Sequence, residues 1–234
     1  IRLCGATNYI EEQLPKRKGD VMRALRTDII QKRYMVRGQL HASASSLVYL
    51  AYDQQAQQDV LLKVFGGVSA HEQLSANLAS TVQQLQGIAH RSLLGYAGTL
   101  QHDQQLFVIQ DGMQGAYTLQ RLLADQDAGL STQMTLNILE TLATALDYLH
   151  SQSVLHLGLS PATLWFDAEG AAYTSDFGLA ASILAGGIAP DVAPYLSPEQ
   201  VQGLPVAPSS DVYTLGLIAF ELLTGQPARR GETA

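Results

Sequence analysis

Val154-Leu155-His156-Leu157-Gly158-Leu159-Ser160-Pro161-Ala162-Thr163-Leu164-Trp165-Phe166-Asp167 is the stretch whose reading decides the fold. An apolar run and a histidine lead in. Gly158, Ser160 and Pro161 then break the pattern, as turn-forming residues do. A second apolar run closes at Asp167-Ala168-Glu169-Gly170, and nine residues past Asp167 stands Asp176-Phe177-Gly178. In order this reads as a short strand, a tight loop, a β-hairpin and a second loop carrying one carboxylate. Gly158 to Ala162 also comes close to the G-x-S-x-G nucleophile elbow of hydrolases. Pro161 argues against that reading. The residue after the nucleophile must donate its backbone N–H to an oxyanion, and proline has none.

Upstream, three β-branched and aromatic runs follow one another: Tyr34-Met35-Val36, Ser46 to Asp53 and Asp59 to Phe65. Residues 71–88 then carry helical spacing, with Leu74, Leu78, Leu85 and Ile88 among the apolar positions. Two more strands are expected at 96–100 and 106–110. This predicts a five-stranded antiparallel sheet with one inserted helix. Past it the chain turns helical: a short helix at 119–124, then a long one capped by Ser131 with Met134, Ile138, Leu142, Leu146 and Leu149 as its inward stripe. Downstream, residues 186–203 are rich in Gly and Pro. Residues 211–224 read as an apolar helix with Asp211 in its first turn and Gly225 at its end. The fold class is therefore α+β. Residues 1–33 read as a leader or linker with a short helix at 21–30, residues 34–112 as a small β lobe, and residues 113–234 as a helical lobe.

Composition bounds the possibilities. Of 234 residues, 47% are apolar, enough for a substantial core. Only 15% are charged, against about 25% in ordinary domains. A net charge of −7 argues against a general nucleic-acid surface. The basic stretch from Lys16 to Arg37 reads as a solvated linker. A single cysteine, Cys4, makes neither an intrachain disulfide nor a cysteine metal site. No apolar run reaches the roughly 20 residues that span a bilayer, so no membrane insertion is expected and a cytoplasmic domain is the default. The chain starts with Ile and stops soon after a helix, which suggests a piece of a longer protein.

From Tyr34 to Ala228 the landmarks, in order and at the right spacing, resemble the protein kinases, most closely the bacterial eukaryotic-like Ser/Thr kinases. The implied architecture is bilobal, with the helical lobe incomplete after 211–224. Val60-Leu61-Leu62-Lys63 resembles V-A-I-K, His156 to Thr163 resembles H-R-D-L-x-x-x-N, and Asp176-Phe177-Gly178 is an intact D-F-G. Ser197-Pro198-Glu199 resembles A-P-E, and Ser210 to Gly216 resembles the helix supporting the catalytic loop.

The departures are systematic. The three Gly positions of the phosphate-covering loop are His41, Ser43 and Ser46, whose Cβ atoms crowd a phosphate. Lys63 is the phosphate-binding lysine by resemblance, yet its helix Glu partner is Thr81. The helix's only acid, Glu72, stands nine residues away, ~13 Å along the axis. A pairing of Lys63 with Asp176 is the expected substitute. Leu61 and Trp165 enlarge two adenine-contacting positions, Val48 keeps the lid and Ile109 takes the gatekeeper position. In the catalytic loop the Arg is Leu157, the base Asp is Gly158, the Lys is Ser160 and the metal-binding Asn is Thr163. Asp176 remains as a lone, weak metal ligand. His156, Phe177 and Leu85 are expected to pack as a structural column, and Asp211 to hold backbone near His156. Glu199 normally pairs with an Arg in a later segment.

These losses lead to the expectation of a domain that is not an enzyme. On that reading it is a catalytically inactive pseudokinase acting as a protein-binding scaffold or signalling-regulatory module, with no cofactor and a partner the sequence does not name. The alternative is a weak or unconventional Ser/Thr protein kinase, or a nucleotide sensor, that uses Lys63 and Asp176 with ATP and Mg²⁺.

Overall fold

Alternation of apolar and polar residues builds the first lobe. The structure, a computed structural model, describes residues 29–66, 72–125, 128–184 and 191–229. The leader up to residue 28, Cys4 included, lies outside them. Of the helix expected at 21–30 only the last two residues are described, and Ile29–Ile30 form a strand (β1). This adds an edge to the five expected strands. The sheet runs β1, β2 (Tyr34–Ala42), β3 (Ser46–Asp53), β4 (Gln58–Phe65), β6 (Gln105–Asp111), β5 (Tyr96–His102), each strand antiparallel to its neighbour. Both faces of its centre are covered. On one face Val36, Tyr49, Leu62, Val64, Phe107 and Ile109 form a core of their own. On the other, Phe65 and Val108 meet α1 (Glu72–Leu85) through Leu78, Val82 and Leu85.

The second lobe is built on two helices, α3 (Thr132–Ser151) and α6 (Pro208–Thr224). The Ser131 hydroxyl accepts the Met134 N–H and caps α3. Its stripe Ile138, Leu142 and Leu146 packs against Ile218 and Leu222 of α6. The latter begins at Pro208, three residues before the acid that marks it in the sequence, because Pro at a first-turn position has no N–H to leave unsatisfied. Between them lie β7 (Tyr117–Thr118) with α2 (Leu119–Ala124) and the expected hairpin, β8 (Leu164–Phe166) and β9 (Ala172–Thr174). These three strands pair in the order β7-β8-β9. Two short helices, α4 (Ala180–Leu184) and α5 (Pro198–Gln202), follow the Asp176 loop.

Candidate active site

The hairpin places Val154–Thr163 at the junction of the lobes, and Asp211 fixes its shape. The Asp211 carboxylate accepts from the backbone N–H groups of His156 (2.9 Å) and Leu157 (2.7 Å), and lies 2.8 Å from His150 Nε2. Leu157 has φ 56°, a left-handed conformation that a branched side chain adopts only when its surroundings impose it. Gln200 supplies the other constraint, donating Nε2–H to the Leu157 carbonyl at 2.8 Å. Nothing in the sequence marked Gln200 for this role. The His156 ring is fully buried. Its Nδ1 accepts the Gly158 N–H (3.3 Å), leaving Nε2–H for Thr174 Oγ1 (2.7 Å). Burial lowers the His156 pKa, which keeps that neutral tautomer. Leu85 and Phe177 share an apolar cluster, and the Tyr96 hydroxyl donates to the Phe177 carbonyl at 2.8 Å. His156 is tied to Thr174 by hydrogen bonding.

The chemical face of the loop is spare. At Gly158 a Cβ would meet nothing closer than 3.8 Å. Thr163, in the Asn position, spends its hydroxyl inside the loop: Oγ1 accepts the Ser160 N–H (3.0 Å) and reaches the Ser160 and Gly158 carbonyls (3.0 and 3.2 Å).

Lys63 Nζ and Asp176 Oδ2 form a short ion pair, with both side chains buried. The Lys63 ammonium also lies 5.2 Å from the Phe65 ring centroid. Asp176 Oδ1 is buried without a hydrogen-bond partner among the described residues. Thr81, in the helix-Glu position, faces Ser182 of α4 (Oγ to Oγ 3.3 Å), while Glu72 is exposed in the first turn of α1. The ion pair borders a cavity of about 40 Å³ shared with Ser45, Gly158, Ser160 and Thr163. That volume holds little more than one water.

The other end of the cleft is filled. Val48, Leu61 and Trp165 pack with Leu94 and Ala116 into one buried cluster. Burial of Val48, Leu61 and Leu94 contributes roughly 1.5–3 kcal/mol each. The indole N–H donates to Ser175 Oγ at 3.3 Å, and the His41 ring meets the indole edge-on with centroids 6.3 Å apart. Burial and the Lys63 cation hold the His41 imidazole down at about 4.

Ile109 is not the gatekeeper. Cross-strand partners point to one face, and Lys63 pairs with Val108, Leu61 with Gln110 and Leu62 with Ile109. Ile109 therefore joins Leu62, Val64 and Phe107 on the face away from the cleft. Gln110 stands beside Leu61 instead, buried, with Nε2 3.5 Å from the Leu94 carbonyl. A one-residue error in strand phase flips a side chain across the sheet.

Glu199 is engaged by the Ser210 hydroxyl at the start of α6. Two further residues escaped the sequence reading. Ser45 Oγ donates to Asp191 Oδ2 at 2.8 Å across 146 positions, tying the β2–β3 turn to the segment before Ala193–Tyr195. No local pattern reports a contact so distant in sequence.

Among the described residues no three His, Cys, Asp or Glu side chains gather to hold a metal ion. The donor set fits magnesium only in the form in which one carboxylate, the orphaned Asp176, shares the ion with substrate phosphates. Among the described residues no helix is long and apolar enough to cross a membrane.

The family described as Protein kinase domain matches residues 34–234. The Ser/Thr-protein kinase PknL of Mycobacterium tuberculosis is 27% identical over 216 residues, covering 90% of this chain and 54% of PknL. PrkC of Bacillus subtilis, also named a Ser/Thr-protein kinase, is 25% identical over 211 residues, covering 88% of this chain and 32% of PrkC. The chain thus spans about half or less of the length of these relatives. A crystal structure of a variant PknI kinase domain of M. tuberculosis superposes with TM-score 0.76 at 25% identity, covering 91% of this chain and 82% of that one. The bilobal kinase fold expected from the motifs is the fold found. The expectation of a non-enzyme is overturned, since the fold and the named relatives are those of an enzyme family. The missing motif groups had been weighed as loss of activity, although Lys63, Asp176 and the loop frame remain.

Proposed function

The chain belongs to the protein kinase domain family, and from that premise we propose that it is an unconventional Ser/Thr phosphotransferase, slow in turnover, that takes nucleoside triphosphate at Lys63 and Asp176. The observation that carries the reading is the buried Lys63–Asp176 pair with its orphaned Asp176 oxygen. A buried cation facing a spare carboxylate oxygen is expensive to keep unless something uses it. Lys63 binds triphosphate oxygens when the pair opens. Asp176 would hold a magnesium ion brought by the nucleotide, which would supply charge neutralisation at the phosphates. The loop frame of Asp211, His156 and Gln200 fixes where an acceptor hydroxyl is presented. Gly158 and Thr163 withhold the base and second ligand that faster members of the family use, so turnover is low.

Entry of the base requires Trp165 to leave the cluster with Leu61 and Val48. A cytoplasmic location belongs to the same proposal, since the reaction draws on nucleoside triphosphate. A second reading, a nucleotide sensor that binds without transfer, is favoured by the bare Gly158 position. Transfer of γ-labelled phosphate from ATP and Mg²⁺ to Ser/Thr peptides separates the two. The proposal expects slow label transfer that Lys63→Ala abolishes. Binding without any label transfer leaves the sensor, and no binding at millimolar nucleotide overturns both.

A further inference from the structure

We infer that Asp191 is the carboxylate that orients and deprotonates the acceptor hydroxyl in this chain, in place of the group that Gly158 lacks. The inference rests on the phosphotransferase reading and names the residue that completes it.

Three observations meet at Asp191. First, its carboxylate already holds a hydroxyl: Ser45 Oγ donates to Oδ2 at 2.8 Å. Ser45 lines the same cavity as Lys63, Asp176, Gly158 and Val192. A serine hydroxyl held by a carboxylate at the phosphate end of the cleft is the arrangement an acceptor needs. Second, Asp191 Oδ1 is buried and has no hydrogen-bond partner among the described residues. One oxygen thus holds a hydroxyl while the other is shielded from water with no competing partner among the described residues. Third, Asp191 is among the residues lining a cleft of about 470 Å³, with Gln120, Pro161, Ala162 and Tyr195. Ala162 lines this cleft and the Lys63 cavity alike. An extended segment bearing Ser or Thr can enter there and take the place of Ser45.

Electrostatics agree with this placement. His41 feels the Lys63 cation and the Asp176 and Asp191 carboxylates together, so the three charges share one neighbourhood.

The step balances with a nucleoside triphosphate as co-reactant. The acceptor O–H bond breaks and its proton passes to Asp191 Oδ2, the oxygen that Ser45 vacates. The oxygen's electron pair forms the new bond to the γ-phosphorus. The bond from that phosphorus to the bridging oxygen breaks, and its pair leaves with the nucleoside diphosphate. Ser45 then returns to Asp191.

The test compares wild type, Asp191→Asn, Ser45→Ala and the double variant Gly158→Asp/Asp191→Asn, using γ-labelled ATP, Mg²⁺ and a mixed Ser/Thr peptide. Nucleotide affinity and melting temperature are measured alongside. Asp191→Asn lowers transfer by about 100-fold or more, the usual worth of a positioned base, and leaves nucleotide affinity unchanged. Gly158→Asp, which the space at that position admits, restores transfer in the double variant. Ser45→Ala frees Asp191 and preserves or raises transfer. Transfer by Asp191→Asn at the wild-type rate overturns the inference alone. So does parallel loss in Ser45→Ala, which would mark the contact as a structural latch. A wild type that binds nucleotide and transfers nothing overturns the phosphotransferase reading and this inference together.

Discussion

At the phosphate end of the cleft Lys63 and Asp176 are buried and paired, with one carboxylate oxygen left over. At the base end Val48 and Leu61, on the same face of the six-stranded sheet as Lys63, and Trp165 of β8 have closed the space with side chains. The contrast separates two things that kinase motifs usually deliver together. Ion pairing at one end asks for particular groups at particular atoms, and substitution there removes chemistry. Packing at the other end asks only for apolar volume, which larger side chains supply while the fold survives. The ends therefore answer different perturbations.

The largest expected effect is at the charged end. Lys63→Ala leaves Asp176 buried without its partner, which costs about 3–5 kcal/mol. A lowered melting temperature, together with loss of nucleotide binding and transfer, checks it. Lys63→Met with Asp176→Asn in one chain removes both charges and restores most of the stability, but not binding. If Lys63→Ala melts like wild type, the pair is not what joins the lobes.

At the packed end Trp165→Leu reopens the base site. It costs roughly 2–3 kcal/mol in lost burial and cavity. It also raises nucleotide affinity about tenfold, equivalent to about 1.4 kcal/mol. Calorimetric titration reads this directly, and unchanged affinity would show that Trp165 does not stand in the nucleotide's way. Leu61→Ala costs about 2–5 kcal/mol at this fully buried position and raises nucleotide affinity by less.

The smallest effect lies where the ends meet. His41 is held at about 4 in the folded protein, below its ordinary value of about 6.5. The unfolded chain therefore binds a proton first as pH falls. The His41 contribution to stability is complete above about pH 6.5 and is lost progressively toward pH 4. Melting temperature against pH checks this, and His41→Gln flattens that part of the curve.

Much of this architecture was legible in the sequence because it is local. Strand alternation, the Ser131 cap and the short motifs around His156, Asp176 and Asp211 are each written within a few residues. The Lys63–Asp176 pair was legible for a different reason: once Thr81 replaced the helix acid, Asp176 was the carboxylate left to meet that lysine. Ile109 was misplaced because a strand's phase depends on its register with β4, which the strand's own residues leave open. Ser45 and Asp191 were missed because a turn and a distant loop meet only after both lobes have folded.

Trp165 is the chain's single tryptophan, and it stands in the space a base must enter, so its fluorescence is the most direct reporter of the central claim. Titration with ATP and Mg²⁺ is predicted to shift its emission saturably to the red as the indole leaves its buried cluster, and Lys63→Ala is predicted to abolish the shift. Emission that stays constant to millimolar nucleotide in the wild type, or a shift that persists in Lys63→Ala, would contradict the account.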